Sequence, residues 1–124
     1  MKRRVKQDDD EMIFDTYGQE LRTVFKDWEV ECFRVIWANG GEPIGTREVW
    51  ERLTPKFDIS RASVINFLNR MVGENLLGSK DITGKGGHRA LYYSNTHHND
   101  KELSEIIFNR LMQRMTEELK SVGN

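Results

Sequence analysis

The amino-acid sequence predicts a mainly α fold with a small β-wing, and three observations carry that expectation. Apolar residues recur at helical spacing over five stretches. A single Gly-rich, hairpin-like segment interrupts them at residues 76–94, and the last stretch, Asp100 to Val122, is the longest. At 124 residues the chain suffices for one small domain with a genuine hydrophobic core.

Residues 1–11 carry four cations followed by four anions and almost no apolar side chains, which reads as a flexible charged arm. From Met12 to Phe25, the residues Ile13, Tyr17, Leu21, Val24 and Phe25 share one helical face. A second helix is expected from about Asp27, with that aspartate as N-cap. Its stripe of Trp28, Cys32, Val35 and Ile36 is widened by Phe33 and Trp37, and Asn39-Gly40-Gly41 stops it. Ile44 suits a very short strand. Thr46 is expected to cap a short helix, Arg47 to Leu53, facing inward with Val49, Trp50 and Leu53. Thr54 to Ile59 turns the chain. Ser60 then caps a helix from Arg61 to about Asn75 that buries Val64, Phe67 or Leu68, and Met71.

Two extended segments follow, Leu76 to Ile82 and Arg89 to Ser94, joined by a turn over Thr83 to Gly87. Of Tyr92 and Tyr93, strand alternation sends one to the core and leaves the other partly exposed. Asn99 or Asp100 caps the last helix, with Asn99 and Glu102 placed for a capping box. A short helix, a tight turn, a longer helix and a two-stranded hairpin together make a winged helix-turn-helix. The expected organisation is an arm at 1–11, a winged domain with an extra N-terminal helix at 12–96, and a C-terminal dimerisation helix at 97–124. That helix, about 33 Å long, carries Leu103, Ile107, Leu111, Met115, Leu119 and Val122, flanked by Ile106, Phe108 and Met112. The stripe exceeds what a winged domain can cover, so a second copy is expected to meet it in a C2 homodimer.

The net charge is −1, which looks unfavourable for a nucleic-acid partner, but the charge is segregated. From Ser60 to Tyr93 the cations Arg61, Arg70, Lys80, Lys85 and Arg89 outnumber the anions Glu74 and Asp81. The acidic residues concentrate in Asp8 to Glu11 and among the glutamates from Glu20 to Glu51. Such a pattern points to double-stranded DNA. On the helix from Ser60, Arg61 suits a bidentate contact to guanine and Asn66 a contact to adenine. Ser63 suits a base or phosphate, and Ala62 a thymine methyl. Ser60 and Arg70 complete the candidate residues of that helix. Lys85, His88 and Arg89 stand around Gly84, Gly86 and Gly87 at the wing, where glycines permit close approach to a phosphate ridge and cations neutralise it.

Other chemistries find little support. No apolar run is long enough to span a membrane, and no apolar segment follows the charges of Met1 to Arg4, so a secretory signal is not expected. The lone Cys32 fits a reducing cytoplasm and sits on an apolar face, as a buried structural thiol would. Gly84-Lys85-Gly86-Gly87 lacks the Gly-Lys-Ser/Thr ending and helix of a nucleotide loop. His97-His98 lacks companions at metal-ligand spacing, and Trp28, Trp37 and Trp50 fall on apolar helix faces. No catalytic arrangement stands out, and neither cofactor nor metal is called for. Any small-molecule effector is unknown.

Three stretches resemble the penicillinase-repressor (BlaI/MecI-like) family of winged helix-turn-helix regulators. They are Trp28-Glu29-Val30-Glu31-Cys32 through Val35-Ile36-Trp37, Ser60-Arg61-Ala62-Ser63-Val64 through Leu68-Asn69-Arg70-Met71, and Lys85-Gly86-Gly87-His88-Arg89-Ala90-Leu91-Tyr92-Tyr93. The resemblance spans roughly Lys26 to Ser94. It implies homodimers that repress transcription from palindromic operators, reading DNA at Ser60, Arg61, Ala62, Ser63 and Asn66. The chain departs from that pattern in having one long C-terminal helix, an extra helix before the domain, and no cysteine-rich tail. A winged-helix protein-interaction module and an effector- or redox-responsive sensor are the competing readings.

Overall fold

The computed structural model describes residues 16–84 and 87–122, so the expected arm at 1–11, the helix start at Met12 and Lys85 lie outside the described residues. The elements follow in the order α1 (residues 16–22), α2 (Asp27–Ala38), β1 (Ile44–Gly45), α3 (Thr46–Leu53), α4 (Arg61–Gly73), β2 (Gly78–Gly84), β3 (Gly87–Tyr93) and α5 (Asp100–Val122). The chain divides into two compact units. One is Phe25–His98, and the other joins the described residues 16–24 with 99–122. The N-terminal helix thus groups with α5, whereas the sequence pattern attached it to the winged domain.

In the Phe25–His98 unit, α2 begins one residue after Lys26, and its cap differs from the expected Asp27. The Glu29 carboxylate reaches back to accept from the Lys26 backbone N–H at 2.8 Å. This is the returning half of a capping box, available because Glu29 is the third helical residue. Phe33 anchors an aromatic cluster. Its ring meets Phe25 at 5.3 Å and Phe67 at 5.7 Å edge-on, and Trp28 meets Phe67 at 5.4 Å. Val30, Val35, Ile36, Val49, Leu53, Val64, Leu68 and Met71 complete this core, with Tyr92 from the wing.

Thr46 does not cap α3; it is the first helical residue and Gly45 holds the N-cap position. The Trp50 indole N–H donates to the Ile59 carbonyl at 3.0 Å, pinning the turn that delivers the chain to α4. Ser60 caps α4 as expected, its Oγ accepting from the Ser63 N–H at 3.1 Å. The helix stops earlier than expected, through Asn75 in the left-handed conformation at φ 59°. Leu76 N–H then bonds the Met71 carbonyl at 2.9 Å and Asn75 N–H the Val72 carbonyl at 3.1 Å. Those two bonds make a Schellman motif with asparagine where glycine is commonest, and the buried Leu76 and Met71 supply its apolar contact.

The sheet is antiparallel in the order β1-β3-β2, with Ile44 opposite Tyr92 and Ser79 also opposite Tyr92 on the other side. The hairpin ladder continues to Gly84 opposite Gly87, further than the turn expected over Thr83 to Gly87. Tyr92 is buried and Tyr93 half-buried, and the Tyr93 ring lies across Gly78, where any Cβ would run into it.

In the second unit, α1 ends at a turn closed by Val24 N–H to the Leu21 carbonyl at 3.0 Å. Leu21 is buried, but Val24 is 55% exposed and off the expected apolar face, because the helix has ended before it. Ser104 of α5 donates its hydroxyl to Glu20 at 2.6 Å. Asn99 Oδ1 accepts from the Glu102 N–H at 2.9 Å and caps α5. Leu103 is buried and Ile107 half-buried. Beyond them Leu111, Met115 and Leu119 are exposed, together with Phe108 and Met112. The Val122 side chain lies outside the described residues.

Candidate nucleic-acid interface

The first two turns of α4 present the surface on which the sequence argument rests. Arg61, Ala62 and Asn66 are exposed, Ser63 is half-buried, and Val64, Phe67, Leu68 and Met71 face the core. Ala62, Asn66 and Asn69 follow one another at four and three residues, so they line the outward ridge of the helix. Asn69 escaped the sequence argument, because a second polar residue near the helix middle has no motif to single it out. Its Oδ1 accepts from the Tyr92 hydroxyl at 2.7 Å, which fixes its amide orientation and ties the wing to α4. The hydroxyls of Ser60 and Ser63 lie 2.9 Å apart and share a hydrogen bond.

Arg70 is placed differently from the other candidates. Its Nη2 is 3.2 Å from Glu29 Oε2, its Nε 3.7 Å from Glu74, and its guanidinium lies 5.4 Å from the Phe67 ring centroid. Nine residues beyond Arg61, it stands half a turn away around the helix and about 13 Å along it. Arg70 therefore joins the end of α4 to the start of α2. Glu29 is buried and serves two donors, Lys26 N–H and Arg70. Only the packing of α2 on α4 brings these residues together across 41 positions of sequence.

On the wing, Arg89 of β3 is exposed, and it lines an open groove of about 400 Å³ with Arg61, Ile65, Gly45, Glu48 and Tyr92. Arg89 Nη1 lies 3.8 Å from Glu48 Oε1, an ion pair too long for a hydrogen bond. Thus the structure brings Arg61 and Arg89 to one groove. The backbone of His88 pairs with Thr83 at the wing end, while its side chain, like Lys85, lies outside the described residues.

Groups set aside by the sequence find structural roles. His97 is fully buried, with Nδ1 2.8 Å from the Trp37 indole N–H and Nε2 2.7 Å from the Leu76 carbonyl. Because indole N–H only donates, Nδ1 must accept and Nε2 must carry the proton. The ring is therefore a neutral strut between α2 and the segment leaving α4. Among the described residues no group of three or more His, Cys, Asp or Glu can hold a metal ion. Cys32 is buried, and burial, with the nearby Glu29 and Glu31 adding, pushes its thiol well above the ordinary thiol range. A thiol so held is a poor nucleophile. No helix among the described residues is long and apolar enough to cross a membrane.

No family model and no curated protein sequence matches the chain. Solved structures do match. A possible transcriptional regulator from Methanosarcina mazei Go1 superposes with a TM-score of 0.61 at 13% identity, over 86% of this chain and 88% of that one. A PadR family transcription regulator from Clostridium difficile R20291 has a TM-score of 0.48 at 16% identity, over 74% of this chain and 97% of that one. A PadR family transcriptional regulator from Eggerthella lenta DSM 2243 has 0.46 at 12% identity, over 96% and 92%. At 13% identity the likeness to the Methanosarcina mazei protein is one of fold, and the element order agrees with it: the Phe25–His98 unit is a winged helix.

Proposed function

We propose that the chain is a cytoplasmic, sequence-specific DNA-binding transcription regulator that acts as a homodimer on a palindromic operator, as a repressor. The observation that carries this reading is the exposed N-terminal ridge of α4 beside the Arg61–Arg89 groove, with the wing tied to the same helix through Tyr92 and Asn69. A helix of thirteen residues is a rod of about 20 Å. The major groove, about 12 Å wide, admits it with Arg61, Ala62 and Asn66 toward the base edges. Ser60 and Ser63, at the helix start, suit phosphate contact near the partial positive charge of the N-terminus. Arg89, with Lys85 and His88 at the wing, suits the flanking backbone. Repression and operator symmetry come from the resemblance to the penicillinase-repressor family.

The homodimer is supported by α5. Phe108, Leu111, Met112, Met115 and Leu119 are between 46% and 72% exposed and recur at three- and four-residue spacing. That ridge runs for about 17 Å, and an identical helix is the partner that buries it without a second gene product. Two recognition helices then lie about one DNA turn, or a multiple of it, apart.

The test is selection of bound sequences from a random duplex pool, followed by titration of Arg61→Ala and Lys85→Ala. Arg61→Ala is expected to lose about 1–3 kcal/mol of discrimination at one base position. Lys85→Ala should weaken all sequences alike and reduce the salt slope by about 1. A pool that yields no enriched sequence, with both variants binding like the parent, refutes the reading.

A further inference from the structure

One carboxylate stands among the cations of the groove between α3, α4 and the wing. Glu48 is the third residue of α3. Its Oε1 faces Arg89 at 3.8 Å, and its Oε2 is buried with no hydrogen-bond partner among the described residues. A buried acceptor without a donor is a cost to folding that an apolar side chain would avoid. Gly45 makes room for it, because a Cβ there would lie 2.5 Å from Oε2. The neighbouring Arg47 does not compensate Glu48, since its Nε pairs with Glu51 at 3.0 Å. The carboxylate therefore holds one wing cation loosely and sets a negative charge where a phosphate would approach.

We propose that Glu48 is a specificity-determining residue of this groove: it retains Arg89 against non-cognate DNA and releases it to a phosphate only when α4 engages its bases. The inference rests on the reading of α4 and the wing as the DNA interface. Loose contact with random sequence does not bring a phosphate close enough to displace the carboxylate, so Arg89 stays with Glu48. Base contacts made by α4 draw the backbone into the groove, where the phosphate takes over the guanidinium in a charge-assisted bond. Glu48 thus lowers affinity for random duplex more than for the cognate site, which widens the ratio between them.

The experiment titrates full-length parent, Glu48→Gln and Glu48→Gln/Arg89→Gln with a fluorescein-labelled random-sequence duplex over about 50–200 mM salt. Melting curves confirm that each is folded, and Glu48→Ala carries the same expectation should the glutamine variant melt early. Glu48→Gln is expected to bind random duplex about 3- to 10-fold tighter, with log K falling more steeply against log salt by about 0.9, the value for one added phosphate contact. The double variant should lose that gain. Unchanged or weaker binding by Glu48→Gln, while the parent binds, overturns this inference alone. A gain that persists without Arg89 overturns it too, because Glu48 would then act on phosphates directly. Absence of binding by both parent and Glu48→Gln, to the random duplex and to any sequence enriched from the pool alike, overturns the DNA reading together with it.

Discussion

Replacing Arg70 by methionine asks whether this cation serves the fold or the DNA. Its guanidinium sits 3.2 Å from Glu29 Oε2, whose side chain is 7% exposed, while Arg70 is 56% exposed. At that separation Coulomb's law sets limits of about 5 kcal/mol for an effective dielectric near 20 and about 1.3 kcal/mol for water. The open side of Arg70 moves the pair toward the lower limit, and side-chain ordering offsets part of it, leaving about 1–1.5 kcal/mol. Methionine keeps the packing of the aliphatic stem but loses the cation over Phe67, worth about 0.5–1 kcal/mol more. Glu29 keeps its bond from Lys26 N–H, so the buried carboxylate is not left wholly without a donor. The expected loss of about 2 kcal/mol lowers the melting temperature by roughly 8–16 °C for a unit of this size. Circular dichroism measures the melt, and duplex anisotropy well below both melting temperatures measures binding, which should change less than threefold. A melt within about 0.5 kcal/mol of the parent, with affinity reduced tenfold and a salt slope shallower by about 1, refutes the assignment and makes Arg70 a phosphate contact.

Further measurements probe other elements. Asn75→Ala should cost about 1–2 kcal/mol by forcing a Cβ-bearing, non-polar residue into the left-handed region, whereas Asn75→Gly should stay within a few tenths; urea midpoints compare them. Burial raises the Cys32 thiol above its ordinary value of 9.0. The native state therefore keeps a proton that the unfolded chain releases, and stability holds below about pH 9 and falls as pH rises beyond it, by up to about 1.4 kcal/mol per unit. Cys32→Ala should flatten that alkaline decline in urea titrations, and an identical decline would contradict the burial argument. Leu111→Glu, on the exposed ridge of α5, should yield a folded monomer by light scattering where the parent is a dimer; a monomeric parent at micromolar concentration would remove the dimer from the proposal. Trp37→Phe removes the indole donor of His97 Nδ1 and leaves the Ser94 hydroxyl, 3.1 Å from that nitrogen, to replace it, so the cost should be about 1 kcal/mol in thermal melts.

Local periodicity and punctuation in the sequence were enough to determine α2, α3, α4, the hairpin and α5. Their signals are short-range: an apolar stripe, a serine at position 60, and paired glycines at 40 and 41. The errors fell at element ends, where two local solutions compete. Glu29 rather than Asp27 satisfies the start of α2, and Asn75 ends α4 through a left-handed residue that composition alone does not announce. The outward face of α4 was legible because its inward face is so plainly apolar. Asn69 was not, since its bond to Tyr92 spans 23 residues.

The tertiary structure alone decided which partner each charged residue meets. Arg61, Arg70 and Arg89 look alike in the sequence, as cations in a positively biased segment. Packing of α2 against α4 gives Arg70 a buried carboxylate. Pairing of β1 with β3 sets Arg89 opposite Glu48 and leaves Arg61 exposed beside them. A charge takes its role from the charges within a few ångströms, and those neighbours are distant in the chain. Side-chain periodicity carries the fold because burial is a property of one element's face. Electrostatic partnership belongs to pairs of elements, so it emerges only when they meet.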